Sequence, residues 1–285
     1  SKGGFQDWLD IYKTLEPLPE NSFYELGGVD AKAVELFEGE RVKTIDDISE
    51  TLAVSKRIDS QLRAYRNNGP IVDKLRVKQF LDNLEFPLYF FDYETLGSLV
   101  PYFDGMRPYA QYPFQYSLHI LESPDAELVH KEYLHTEKSN PAESIVTTMQ
   151  EHFGDKGTVI AWNMSFEKNC NDVLATFVPE AADFLSDLNE RMVDLMIPFS
   201  SGAYNDHRFK GSASIKNVLP VMVPELSYKN LGIQEGQAAS RIWTQTVLDG
   251  KHDGDKEEIL SDLLKYCQLD TFAMVEIYRK LVEDV

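Results

Sequence analysis

An α/β fold is expected from three observations. A continuous apolar run, FPLYFFDYETLG at 86–97, has the length and composition of a strand buried on both faces, as a central strand of a sheet is. Two strand-like runs follow it as a meander, and short apolar segments then alternate with amphipathic helical patterns. The expected architecture is a mixed sheet with flanking helices over 86–285, preceded by a small helical subdomain over 1–85.

The chain has 285 residues and a hydrophobic fraction of 43%, enough for one large or two medium domains with a real core. No stretch approaches the roughly 18 apolar residues of a membrane helix. Two cysteines, Cys170 and Cys267, both in helical apolar contexts, point to free thiols in a reducing cytoplasm. The chain opens on Ser1 rather than Met, as a segment of a longer polypeptide would. The net charge of -19 disfavours a general electrostatic grip on nucleic acid. It leaves room for carboxylates that hold divalent ions, because bound ions offset that charge.

From the N-terminus, 7–15, 55–65 and 71–84 read as amphipathic helices, the last leading into the strand. Gly27-Gly28-Val29-Asp30, the helix over 31–37 and the segment 44–48 loosely resemble a helix-hairpin-helix, a DNA-backbone module; a structural helical pair is the plainer reading. Beyond the opening strand, 114–121 and 128–135 are strands joined as a hairpin. Pro141 starts a helix running to about Phe153, with Gly154 as its stop. Thr158–Trp162 is a fourth strand, Asn163 turns into another helix, and 192–196 is a fifth strand. Segments 215–221, 237–248 and 257–281 are helical.

Several acids sit where acids are costly. Period-2 geometry puts Asp92 and Glu94 on one face at the C-terminal end of the first strand, tolerable with a cation between them or as a solvated strand end. Asp270 interrupts the apolar stripe Ile259, Leu263, Tyr266, Ala273, Ile277, and Tyr266 lies one turn before it. Backbone donors or an arginine would equally satisfy Asp270. Glu167 lies in the first turn of the helix after Asn163, a place favoured by the helix dipole alone. Asp194 is a further acid in an apolar run, and Lys216 opens a helix. His119, His135 and His207 lack ligand spacing.

Taken in order, D-x-E at Asp92 and Glu94, N-x-x-F-E at Asn163 to Glu167, and Y-x-x-x-D at Tyr266 and Asp270 resemble the DEDD (DnaQ-like) 3′→5′ exonucleases over about 87–281. With Lys265 where the histidine subclass has His, the tyrosine subclass (DEDDy) fits. The second motif departs in carrying Glu167 where the family has Asp. PFQYSLH, GSASIKNVLP and YCQLDTFAM also resemble a bacterial family often fused C-terminal to a RecB-type nuclease domain. The resemblance implies an RNase-H-like sheet and a catalytic set of Asp92, Glu94, Glu167, Tyr266 and Asp270. The four carboxylates would hold two Mg2+ or Mn2+ ions, with Asp92 bridging them, and Tyr266 would orient the attacking water. The implied substrate is single-stranded or 3′-ended DNA or RNA. Substrate contacts are expected from Tyr93, Thr95, Leu96, Asn163, Asp194 and Lys216. The alternative is a weak or inactive RNase-H-like module that binds nucleic acid or a partner nuclease.

Overall fold

The computed structural model describes residues 17–228, 231–233 and 235–285 and divides into two compact units. One comprises the chain up to Asp73 together with 199–213, and the other comprises 74–198 and 214–285. The helix expected over 7–15 lies outside the described residues. No helix among the described residues is long and apolar enough to cross a membrane.

In the first unit, α1 (Ala31–Gly39) starts at Asp30, whose carboxylate accepts the N–H of Ala33. The Ser55 hydroxyl likewise caps α2 (Lys56–Arg66). Phe23, Phe37, Ile45, Ile58 and Leu62 form the core. The expected helix partner over 44–48 is a single 3-10 turn, Ile45–Asp47. Both backbone groups of Gly27 are held by the Gln61 side chain, at 2.7 and 2.8 Å, so this turn does not present them to a phosphate.

The helix expected over 71–84 is broken. Ile71–Val72 is a strand, β1, because the β-branched pair is taken up antiparallel by β7 (Tyr204–Asn205). Only Lys74–Leu81 is helical (α3), and it belongs to the second unit. The structural boundary therefore falls at Asp73 rather than at 85, and a later segment completes the first unit.

The second unit is a five-stranded mixed sheet with flanking helices, as expected. Its strands are β2 (Leu88–Leu96), β3 (Tyr112–Leu121), β4 (Val129–Leu134), β5 (Thr158–Ala161) and β6 (Met192–Asp194), in the order β4-β3-β2-β5-β6. The central β2 runs antiparallel to β3 and parallel to β5. Its alternation separates two cores. Tyr89, Phe91 and Tyr93 pack with Ile145 and Met149 of α4 (Ala142–His152), Cys170 of α5 (Met164–Phe177) and Leu185 of α6 (Ala182–Glu190). Residues of the opposite parity face the last helix, α9 (Lys256–Asp284): Phe90 lies against Tyr278, and Asp92 against Cys267. Between the last strand and α9 come α7 (Ile215–Met222) and α8 (Gly236–Trp243), the latter running into a π-helical turn, Thr244–Leu248.

Candidate functional site

Three separate stretches deliver carboxylates to the C-terminal end of β2. Asp92 and Glu94 share its face toward α9, and the register shifts between Glu94 and Thr95, marking a local irregularity at the carboxylate end. Asp270 and Tyr266 come from the middle of α9. Glu167 arrives on the first turn of α5, and its approach is set by two neighbours. Asn163 turns the chain with φ 71° and ψ 57°, left-handed values that asparagine tolerates better than most residues. Asp194, beside Ala161 in the β5–β6 register, accepts the N–H groups of Asn163 at 3.0 Å, Met164 at 3.3 Å and Met196 at 2.9 Å.

The electrostatics are unfavourable in a consistent way. Glu94, Glu167 and Asp270 are buried and Asp92 is partly so. No lysine or arginine among the described residues forms an ion pair with any of the four carboxylates. Desolvation, followed by the charges of Asp270, Glu167 and Glu94, holds the Asp92 carboxyl well above the usual range. Burial and Asp270 do the same to Glu94, against the opposing charge of Lys216. Burial pushes Glu167 up to about 8, with Asp194 adding repulsion. Asp270 rises only to about 6, because the Tyr228 hydroxyl donates to its Oδ1 at 2.6 Å and Lys216 adds positive potential. The Lys216 Nζ sits 5.9 Å from the centre of the Tyr228 ring.

One oxygen is decisive for what the set accommodates. Glu167 is 1% exposed, and its Oε2 has no hydrogen-bond partner among the described residues. A buried carboxylate oxygen left unpaired is costly, and a cation is a partner that removes the cost. The donors of Asp92, Glu94 and Cys267 lie within 4.8 Å of one another. Burial holds the Cys267 thiol protonated, and its Sγ donates to Asp92 Oδ2 at 3.9 Å. The available donors are therefore carboxylate oxygens, which suit Mg2+ or Mn2+ rather than a soft ion.

Asp92, Glu94 and Asp270 line a cleft of about 770 Å³, whereas Glu167 and Cys267 are not among the residues of its wall. Thr95, Leu96 and Lys216, three of the residues expected to contact substrate, are on its wall, and so is Tyr266. Thr95 donates its hydroxyl hydrogen to Gln111 Oε1 at 2.6 Å. Burial, then Asp270 and Glu94, raise the Tyr266 phenol, which stays a neutral donor. Of the other expected contacts, Asn163 and Asp194 are not on the wall, and Tyr93 borders it with its ring packed in the core. The Tyr93 ring is in the core with Met149, and its hydroxyl donates to Asn171 Oδ1 at 2.8 Å, because odd positions of β2 face the helices on the other side. The Asp194 carboxylate is spent on three N–H groups, so its role is to hold the turn that carries Asn163 and Glu167. Tyr228 and the place of α8 on the cleft wall were not anticipated, although a helix over 237–248 was expected. The sequence around Tyr228 shows no periodicity, and the polar side of α8 reads as an ordinary solvated face.

Residues 89–214 match a domain of unknown function, DUF2779, a span that includes Asp92, Glu94 and Glu167 and stops short of Tyr266 and Asp270. No solved structure matches the chain. It is similar to the "uncharacterized protein MG366 homolog" of Mycoplasma pneumoniae, 26% identical with 96% of this chain and 43% of that protein covered. It is also similar to the "uncharacterized protein MG366" of Mycoplasma genitalium, 22% identical over 78% of this chain and 36% of that protein, and to the "uncharacterized protein UU173" of Ureaplasma parvum at 24%. The chain thus spans about two fifths of the length of the curated relatives it matches.

Proposed function

We propose that this chain is a divalent-metal-dependent 3′→5′ exonuclease that hydrolyses phosphodiester bonds of DNA or RNA in the cytoplasm, where its two free thiols stay reduced. The observation that carries the reading is the convergence of Asp92, Glu94, Glu167 and Asp270, desolvated and mutually repelling, around an unpartnered buried oxygen. Such an arrangement is held at a cost in stability, and perturbed clusters of this kind mark functional sites.

Asp92, Glu94, Glu167 and Asp270 would hold Mg2+ or Mn2+. The chemistry supplied by such ions when bound is charge neutralisation at the phosphate and activation of water. The chain's own groups do the positioning. Tyr266, kept as a phenol, donates a hydrogen bond that orients the attacking water. Tyr228 fixes the rotamer of Asp270, and Lys216 adds positive charge on the side of Glu94 and Asp270. Leu96, anchored in a cluster with Phe114 and Trp243, gives an apolar wall for a terminal base.

The test is a 5′-labelled single strand incubated with Mg2+ or Mn2+, wild type beside Asp92→Ala. A ladder shortening from the 3′ end, lost in the variant and in chelator, is expected. A wild-type protein that neither shortens the strand nor binds either ion in a titration would refute the proposal.

A further inference from the structure

The same cleft carries a feature the chemistry above does not use. Helix α8 is fixed in rotation by its apolar side. Ala239 and Trp243 are buried, the Trp243 ring stacks on Phe114 at 4.3 Å, and its Nε1 donates to the carbonyl of His135 at 2.7 Å. Its other side therefore faces the cleft with no freedom to roll. Gln237, Ser240, Arg241 and Thr244, at steps of three and four residues, all line it. The helix begins at the carboxylates: a side chain on Gly236 would stand 3.5 Å from Glu94 Oε2. Arg241, five residues on, lies about 7.5 Å further along the axis.

Arg241 is exposed, and its guanidinium makes no hydrogen bond or ion pair among the described residues. The other cations of the wall are differently engaged. Lys251 is paired with Asp249 at 2.8 Å, and Lys216 serves the carboxylate end. In a chain of net charge -19, a cation on the wall of an acidic cleft, flanked by the Gln237 amide and the Ser240 hydroxyl while Thr244 gives its own hydroxyl hydrogen to the Ser240 carbonyl at 2.7 Å, has the chemistry of a phosphate seat.

Resting on the exonuclease reading, we propose that Arg241, with Gln237 and Ser240 beside it, forms a second phosphate subsite. It takes a backbone phosphate of the same strand away from the cleaved bond. The cleft then measures its substrate: a strand with a phosphate beyond the reacting one is held at two points, and a dinucleoside monophosphate at one.

Two measurements test this. On a twelve-nucleotide strand, Arg241→Ala is expected to raise KM about tenfold or more with little change in kcat, and the penalty is expected to shrink on a dinucleoside monophosphate. Arg241→Lys recovers part of the loss. Separately, binding of a fluorescein-labelled oligothymidine in EDTA, followed by anisotropy against salt, should lose about 0.7 from its logarithmic salt slope in Arg241→Ala. An unchanged KM and slope, or an equal penalty on both substrates, overturns the subsite. Salt-dependent binding lowered by the variant, with no cleavage by wild type, sinks the exonuclease reading while sustaining the subsite. No binding by wild type sinks the subsite. A melting curve matching wild type shows that the variant is folded.

Discussion

Asp206 in the first unit and the acid cluster in the second are both buried carboxylates, resolved in opposite ways. Asp206 is 2% exposed. Burial alone would raise its pKa, but the Arg208 side chain at 2.6 and 2.9 Å, with the Arg208 N–H at 2.9 Å, pulls it below the usual carboxylate range. Asp92, Glu94 and Glu167 have no such partner among the described residues, and their shifts are upward. Burial of an acid is therefore not the sign of a site. Burial without compensation is, since it persists only where something outside the fold makes use of it.

The sharpest way to break this contrast is activity. Asp92→Ala should lower strand shortening by more than the ~10–100-fold that even outer partners of a metal contribute, whereas Asp206→Ala should leave the turnover of folded protein near wild type. Next in size is stabilisation by ion. Mn2+ at a hundred times its Kd should add about 2.7 kcal/mol to wild type, visible as a higher Tm, and nothing to Asp92→Asn. A stabilisation equal in both would show that the ion binds elsewhere. Third, Asp206→Ala should destabilise by about 2 kcal/mol in urea unfolding, limited because Arg208 is half exposed and rehydrates. Asp92→Asn without metal should go the other way, by about 1 kcal/mol of relieved repulsion.

A further contrast lies in the pH profile. Glu167 and Asp270, raised from 4.5 and 3.8 to about 8 and about 6, bind protons more tightly folded than unfolded. Metal-free protein should thus lose stability as pH climbs from about 4 to about 8, and Mg2+ should suppress that loss. Asp206 contributes with the opposite sign: its stabilisation is present above its ordinary 3.8 and is lost on acidification through its lower folded value. A metal-free profile flat from pH 4 to 8 would mean that the cluster is hydrated.

Period-2 and period-3.6 patterning carried the sheet, α9 and the placement of Asp92, Glu94, Tyr266 and Asp270 in advance, because those patterns encode which face is buried. The same parity argument, applied to Tyr93, would have placed its ring in the core. Asp194 could not be sorted from the primary structure, since its three partners are backbone N–H groups that carry no residue label. Tyr228 and Arg241 depend on how irregular segments and a short helix fold back over the sheet, and no local periodicity encodes that. The Ile71–Val72 strand was hidden for a related reason: its partner is contributed from beyond residue 200.

That partner has a consequence for synthesis. The Asn205 side chain donates to Ser60 Oγ across 145 residues of chain. At about 5–20 residues per second, the ribosome delivers that partner roughly 7–30 s after Ser60. Until then β1 is an unpaired edge on a nascent chain, and the intervening segment already contains all five strands of the sheet. The N-terminal unit, though made first, is thus the one that must wait to close. An expression plasmid ending at residue 85 would yield a polypeptide that lacks its own last strand.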